Sequence, residues 1–114
     1  GGFSFGSHMA LRVAAADERP RAVFALGFPV SMIGDAGFAA AVRAPRLFVQ
    51  GEHDEFGGRD DITRLVETFP QPRHLVVVPG ADHFFAGHLD ALQQAVADWA
   101  AMRPWEQGAP AALT

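Results

Sequence analysis

Residues 46–50, Arg46-Leu47-Phe48-Val49-Gln50, carry Leu, Phe and Val in unbroken succession, without the polar alternation of a half-exposed strand. Two further runs share this character: residues 22–28 (AVFALGF) and residues 74–78 (HLVVV). Short continuous apolar runs fit strands of a parallel sheet covered on both faces. Working outward, helix-like stretches separate and flank them. Residues 5–16 are rich in alanine, place Met9 and Val13 one turn apart, and stop before Pro20. Asp60 or Asp61 can cap a helix whose Ile62, Leu65, Val66 and Phe69 share one face, with Pro70 ending it. A last helix over residues 87–102 repeats the pattern with Leu89, Leu92, Val96 and Trp99.

The order helix, strand, excursion, strand, helix, strand, helix predicts an α/β domain: three parallel strands with flanking helices and right-handed crossovers. The excursion, residues 31–45, reads as a loop at Gly34 and Gly37 with one or two helical turns at residues 39–42. Residues 1–103 are expected to form the folded unit, and residues 104–114, which lack periodicity, a flexible tail.

Composition narrows the function. The chain has 114 residues, 49% of them apolar and 19% charged, which is ordinary for a globular domain. It contains no cysteine, so disulfides, thiolate metal sites and a cysteine nucleophile are excluded. Its nine basic residues are all arginines, scattered from Arg12 to Arg103 within a net charge of −4, and they form no basic stripe for nucleic acid. No run approaches the roughly 18 apolar residues that span a bilayer. A cytoplasmic location is expected for the chain, which starts at Gly1 rather than Met.

Residues 2–6, Gly2-Phe3-Ser4-Phe5-Gly6, spell G-x-S-x-G directly ahead of the first helix. A serine on a sharp strand-to-helix turn has strained backbone angles, and neighbours two residues to either side come so close that glycine is expected at both places. The helix that follows aims its first N–H groups at the reacting centre, so the Phe5 N–H is a candidate oxyanion donor. A serine nucleophile needs a base, and the base needs an acid behind it. The second predicted strand runs out into Gly51-Glu52-His53-Asp54 and the third into Pro79-Gly80-Ala81-Asp82-His83. Ser, Asp and His then each follow a predicted element, in the chain order of one well-known triad arrangement. His83 is the only one of the five histidines to follow a strand end and a glycine turn; Glu52 and Glu55 compete with Asp54.

The segments GGFSFGSHMALRVA, RLFVQGEHDEF and VVVPGADHFFAGHLDAL resemble the C-terminal half of α/β-hydrolase superfamily proteins, especially small bacterial hydrolases related to dienelactone hydrolase, over residues 1–102. The resemblance implies a serine hydrolase acting on a small acyl substrate without a cofactor. Ser4 would be the nucleophile, His83 the base and Asp54, at the family's G-x-x-D position, the acid, with Gly2 and Gly6 as elbow glycines. It also implies strands ahead of the elbow, and a second oxyanion donor, that this sequence does not contain. The chain is thus expected to be the second half of a larger domain, inactive or weakly active alone. An inactive fragment that associates with another chain through its exposed sheet edge is the alternative.

Other readings use the same residues. Phe5, Phe28, Phe56, Phe84 and Phe85 fall near strand ends or catalytic loops, and of these Phe28, Phe56 and Phe84 are the candidates to line an acyl pocket. His53, Asp54, His83 and His88 offer metal donors, but the spacing of five between the last two histidines and the lack of HExxH argue against a metal site. A phosphate-binding module would need the P-loop lysine or G-x-G-x-x-G, and neither is present.

Overall fold

The computed structural model describes residues 1–106. Its sheet has four parallel strands in the order β1 (Gly2–Phe3), β2 (Val23–Leu26), β3 (Arg46–Gly51) and β4 (Arg73–Val78). Three of these are the apolar runs. The fourth, β1, is two residues long and has no pattern of its own; pairing with β2 through Gly2↔Ala25 and Phe3↔Leu26 makes it a strand.

Helix α1 (Phe5–Ala16) follows β1, α2 (Arg59–Val66) lies between β3 and β4, and α3 (Leu89–Ala101) follows β4. The excursion between β2 and β3 forms two 3-10 turns, Val30–Met32 and Gly37–Ala41. Asp60 and Asp61 do not cap α2: Gly58 holds that position, and both carboxylates fall in the first turn, where they face the positive end of the helix dipole. Residues 104–106 form a helical turn with Pro104 buried; the rest of the expected tail lies outside the described residues. No helix among the described residues is long and apolar enough to cross a membrane.

Alternation along β3 divides the core. Phe48 joins Leu11 and Ala14 of α1 and Ile62, Leu65 and Val66 of α2 on one face. Leu47 and Val49 join Trp99 of α3 on the other. Burial on both faces explains why Leu47, Phe48 and Val49 of β3 are apolar in succession, and every residue of the strand is buried. In β4, however, His74 and Val76 are exposed, because the edge strand is only partly covered by α3.

Arg46 begins β3 yet is fully buried. Its guanidinium donates to the carbonyls of Ala44 and Pro70 and lies over the Phe69 ring. Burial, with the charge of Arg73 adding to it, pushes its pKa down to about 10. The side chain fastens the turns entering β3 and β4 at the amino end of the sheet. His8, on α1, packs among the rings of Phe5, Phe28 and Phe38. Neither of its buried ring nitrogens has a hydrogen-bond partner among the described residues.

Two stability predictions follow from these buried groups. Arg46→Ala removes the guanidinium from two carbonyls and opens a cavity, so urea unfolding should show a loss of about 3 kcal/mol; a loss under about 1 kcal/mol would contradict the fastening role. Burial, and secondarily the charge of Arg12, hold the His8 pKa below its ordinary 6.5. The unfolded chain therefore binds a proton that the folded chain resists, and this contribution to stability is lost as pH falls below 6.5. His8→Phe should reduce the fall in melting temperature between about pH 7.5 and about pH 5.5, and equal falls in both proteins would exclude His8 as a source.

Candidate active site

In a parallel sheet with strands in step, the carboxyl ends lie side by side. Phe3 pairs with Leu26, Leu26 with Val49, and Val49 with Val76, so the segments leaving the strands emerge along one rim. Ser4 emerges from β1, Asp54 from the loop after β3, and His83 from the loop after β4.

Ser4 sits between β1 and α1 with φ 56° and ψ −123°, a conformation L-residues avoid. Its N–H donates to Leu26 O at 2.8 Å, continuing the ladder, while its carbonyl accepts the first bonds of α1 from Ser7 and His8. The fully buried Ser7 adds its hydroxyl to the same carbonyl. The turn is so tight that a Cβ on Gly2 would lie 2.3 Å from the Gly6 carbonyl oxygen. Gly6 differs from expectation: a Cβ there would meet nothing within 4 Å, so at this position only the backbone presses on Gly2. The Phe5 N–H belongs to the first turn of α1, whose donors have no partner within the helix.

Ser4 Oγ lies 2.8 Å from His83 Nε2, and His83 Nδ1 lies 2.8 Å from Asp54 Oδ2. His83 and Asp54 are both buried. With Nδ1–H donating to the carboxylate, Nε2 is left to accept from the serine hydroxyl. The other carboxylate oxygen, Oδ1, accepts from the Phe56 N–H at 2.8 Å, so both oxygens of Asp54 are engaged. Of its rivals, Glu55 is exposed, and Glu52 accepts from the Gly80 N–H at 3.0 Å and pairs with Arg59. These bonds, that from Gly80 foremost, hold the Glu52 carboxyl below its usual pKa.

The loops carrying Asp54 and His83 press together. A Cβ on Gly51 would lie 2.4 Å from the Asp82 carbonyl oxygen, and the His53 N–H donates to Ala81 O at 2.9 Å. Asp82 turns its own loop by accepting from the N–H groups of Phe84 and Ala86. Phe85, fully buried, follows with φ 56°, a second strained residue beside the site.

Of the phenylalanines expected near an acyl pocket, Phe56 and Phe84 lie against the His83 ring at centroid distances of 4.8 and 5.1 Å. Phe28 does not: it is fully buried and packs edge-on against Phe48 and His8, as part of the core. Phe3, unremarked in the sequence, lies 5.4 Å from His83. His53 and His74 are exposed, and His88 stands at the start of α3. Among the described residues no cluster of three or more His, Asp or Glu side chains is arranged to hold a metal ion.

Gln50 is the positioning residue the sequence reading missed. Fully buried at the end of an apolar strand, its carboxamide accepts from Phe28 N–H at 3.0 Å and donates to Phe28 O at 2.9 Å and Gly57 O at 2.8 Å. It thereby joins the segment after β2 to the loop that carries Asp54. A polar side chain closing an otherwise apolar run was the available signal.

A parallel sheet with helices on both faces and a serine on a strained turn beside a buried imidazole and carboxylate has known counterparts. The family model of the alpha/beta hydrolase domain matches residues 1–102. Comparison with curated proteins gives no match. Among solved structures, an alpha-beta serine hydrolase homologue from Coxiella burnetii is 32% identical, with a TM-score of 0.72 over 82% of this chain and 44% of that one. A serine hydrolase without lid from Xanthomonas campestris is 34% identical, with a TM-score of 0.68 over 86% of this chain and 45% of that one. Dienelactone hydrolase from Anabaena variabilis is 30% identical, with a TM-score of 0.69 over the same shares, 86% and 45%. The chain thus spans a little under half the length of these relatives. With a match running from Gly1 to Met102 and the strand-turn-helix of Ser4 within it, this chain belongs to the alpha/beta hydrolase family.

Proposed function

We propose that the protein is a serine hydrolase that cleaves an ester or similar acyl bond through Ser4, His83 and Asp54. The observation that carries this reading is the pair of 2.8 Å contacts joining serine to imidazole and imidazole to carboxylate. The strained Ser4 backbone is a second support, since such strain is retained where the surroundings over-determine it. Relatives described as a serine hydrolase and a dienelactone hydrolase favour acyl chemistry.

In this mechanism Ser4 Oγ adds to the acyl carbonyl carbon while its proton passes to His83 Nε2. Asp54 stabilises the resulting imidazolium through Nδ1–H. Negative charge collects on the former carbonyl oxygen, toward which the Phe5 N–H donates with the helix dipole behind it. As the tetrahedral intermediate collapses, the acyl–oxygen bond breaks and His83 returns the proton to the leaving oxygen. Water, deprotonated by His83, then adds to the acyl carbon; the bond to Ser4 Oγ breaks and His83 returns the proton to that oxygen. Reaction of Ser4 with a stoichiometric probe tests the assignment directly.

A fluorophosphonate should label Ser4 in the folded chain. Ser4→Ala should abolish the label, and Asp54→Asn, which favours the wrong tautomer, should slow labelling on the order of 10,000-fold. A folded chain that takes no label would favour the inactive, partner-bound alternative, and undiminished labelling of Ser4→Ala would overturn the assignment. Gln50→Leu should slow labelling on the order of 100-fold through displacement of Asp54, measured where circular dichroism shows the variant folded; an unchanged rate would remove Gln50 from the positioning of the site.

A further inference from the structure

Three phenyl rings border the His83 imidazole: Phe3 at 5.4 Å, Phe56 at 4.8 Å and Phe84 at 5.1 Å. They are not equivalent. Phe56 is half-buried, and its backbone is tied to Asp54 and to Ser31. Phe3 and Phe84 are 42% and 64% exposed, yet their rings lie only 6.2 Å apart, forming one open apolar surface beside the imidazole. Both are held by their backbones: Phe3 is paired in β1, and the Phe84 N–H is bonded to Asp82. Phe5, although also exposed, turns its ring toward His8.

The chemistry dictates what this surface meets. Resting on the serine hydrolase reading above, His83 Nε2 must come within hydrogen-bond reach of the departing oxygen in order to protonate it. The group attached to that oxygen therefore passes close to the rings that border the imidazole, and of these Phe3 and Phe84 are the exposed ones. Among the described residues neither guanidinium–ring stacking, Arg12 on Phe38 or Arg46 on Phe69, involves these two rings. A flat apolar leaving group finds two rings suited to offset or edge contacts.

We propose that Phe3 and Phe84 form the leaving-group subsite, and that the substrates are esters of uncharged apolar alcohols, aromatic alcohols foremost. The acyl side contributes nothing to this assignment.

The test compares benzyl and methyl esters of one acid, whose alcohols are of nearly equal acidity, so that chemical reactivity is matched. Wild type should favour the benzyl ester in kcat/KM by roughly tenfold or more. Phe84→Ala and Phe3→Ala should each bring the ratio down toward one, with the change mainly in KM. Turnover without discrimination, or a ratio that neither substitution alters, overturns the subsite. A second measurement does not depend on chemistry: benzyl alcohol titrated into Ser4→Ala should shift the side-chain NMR signals of Phe3, Phe84 and His83 saturably, and glycerol should not. Shifts without hydrolysis of either ester would support the subsite while counting against the hydrolase reading; no shifts and no hydrolysis would overturn both.

Discussion

A carboxamide enclosed in a sheet is costly unless each of its groups finds a partner, and Gln50 is placed where all of them do. Its oxygen and nitrogen hold the backbone of Phe28 on one side and Gly57 on the other. Two segments that would otherwise leave the sheet independently are thus tied at its rim. Gly57 closes the loop in which Asp54 folds back on the Phe56 N–H, so the carboxylate is fixed from both ends of that loop. His83 then has a stationary acceptor for Nδ1. Without that anchor, the contact between the β3 and β4 loops at Gly51 would set their distance but not the direction of the carboxylate.

Parallel strands in step bring the loops together, and the burial of both faces of β3 keeps them there. The ladder between β3 and β4 runs over six residue pairs, from Arg46↔Arg73 to Gly51↔Val78. Arg46 ties the turns entering β3 and β4 at the amino end of the sheet, and Gln50 ties the segments leaving β2 and β3 at its carboxyl end. Both are polar groups in an apolar strand, and each serves backbone groups left open where the strand gives way to a loop. They are matched to the two places where a sheet has unpaired carbonyls to satisfy.

Periodicity made the helices and the long strands legible. The bounds of α1 follow from the pattern of residues 5–16, and β3 and β4 from runs of Val, Leu and Phe. What was illegible depends on partners remote in sequence. Gly2–Phe3 becomes a strand only because β2 lies beside it. Phe28 falls in the core rather than a pocket because the carboxamide of Gln50 draws its backbone inward. Gly6 looks like a steric requirement in the pentapeptide, but the crowding belongs to Gly2 alone, since α1 turns the α-carbon of Gly6 toward open space. Of the proposed site, Ser4, Asp54 and His83 are singled out by motifs and chain order and lie within hydrogen-bond reach of one another in series; the phenyl surface of Phe3 and Phe84 is not legible, because it joins residues 81 positions apart.

The three polar groups differ in how firmly they are held. Asp54 and His83 sit on loops braced by a six-pair ladder and by Gln50. Ser4 follows a strand of two residues and carries a backbone conformation that costs on the order of 1–3 kcal/mol. Something must sustain that strain, and the candidate with sufficient magnitude is α1. Its Leu11 is fully buried among core residues, worth about 1.5–3 kcal/mol, and the buried Ser7 hydroxyl anchors its first turn to the Ser4 carbonyl. The elbow is therefore held by its helix rather than by its strand. Loosening of α1 against the sheet would relax Ser4 first, withdrawing the hydroxyl from His83 while the imidazole–carboxylate pair stayed in place.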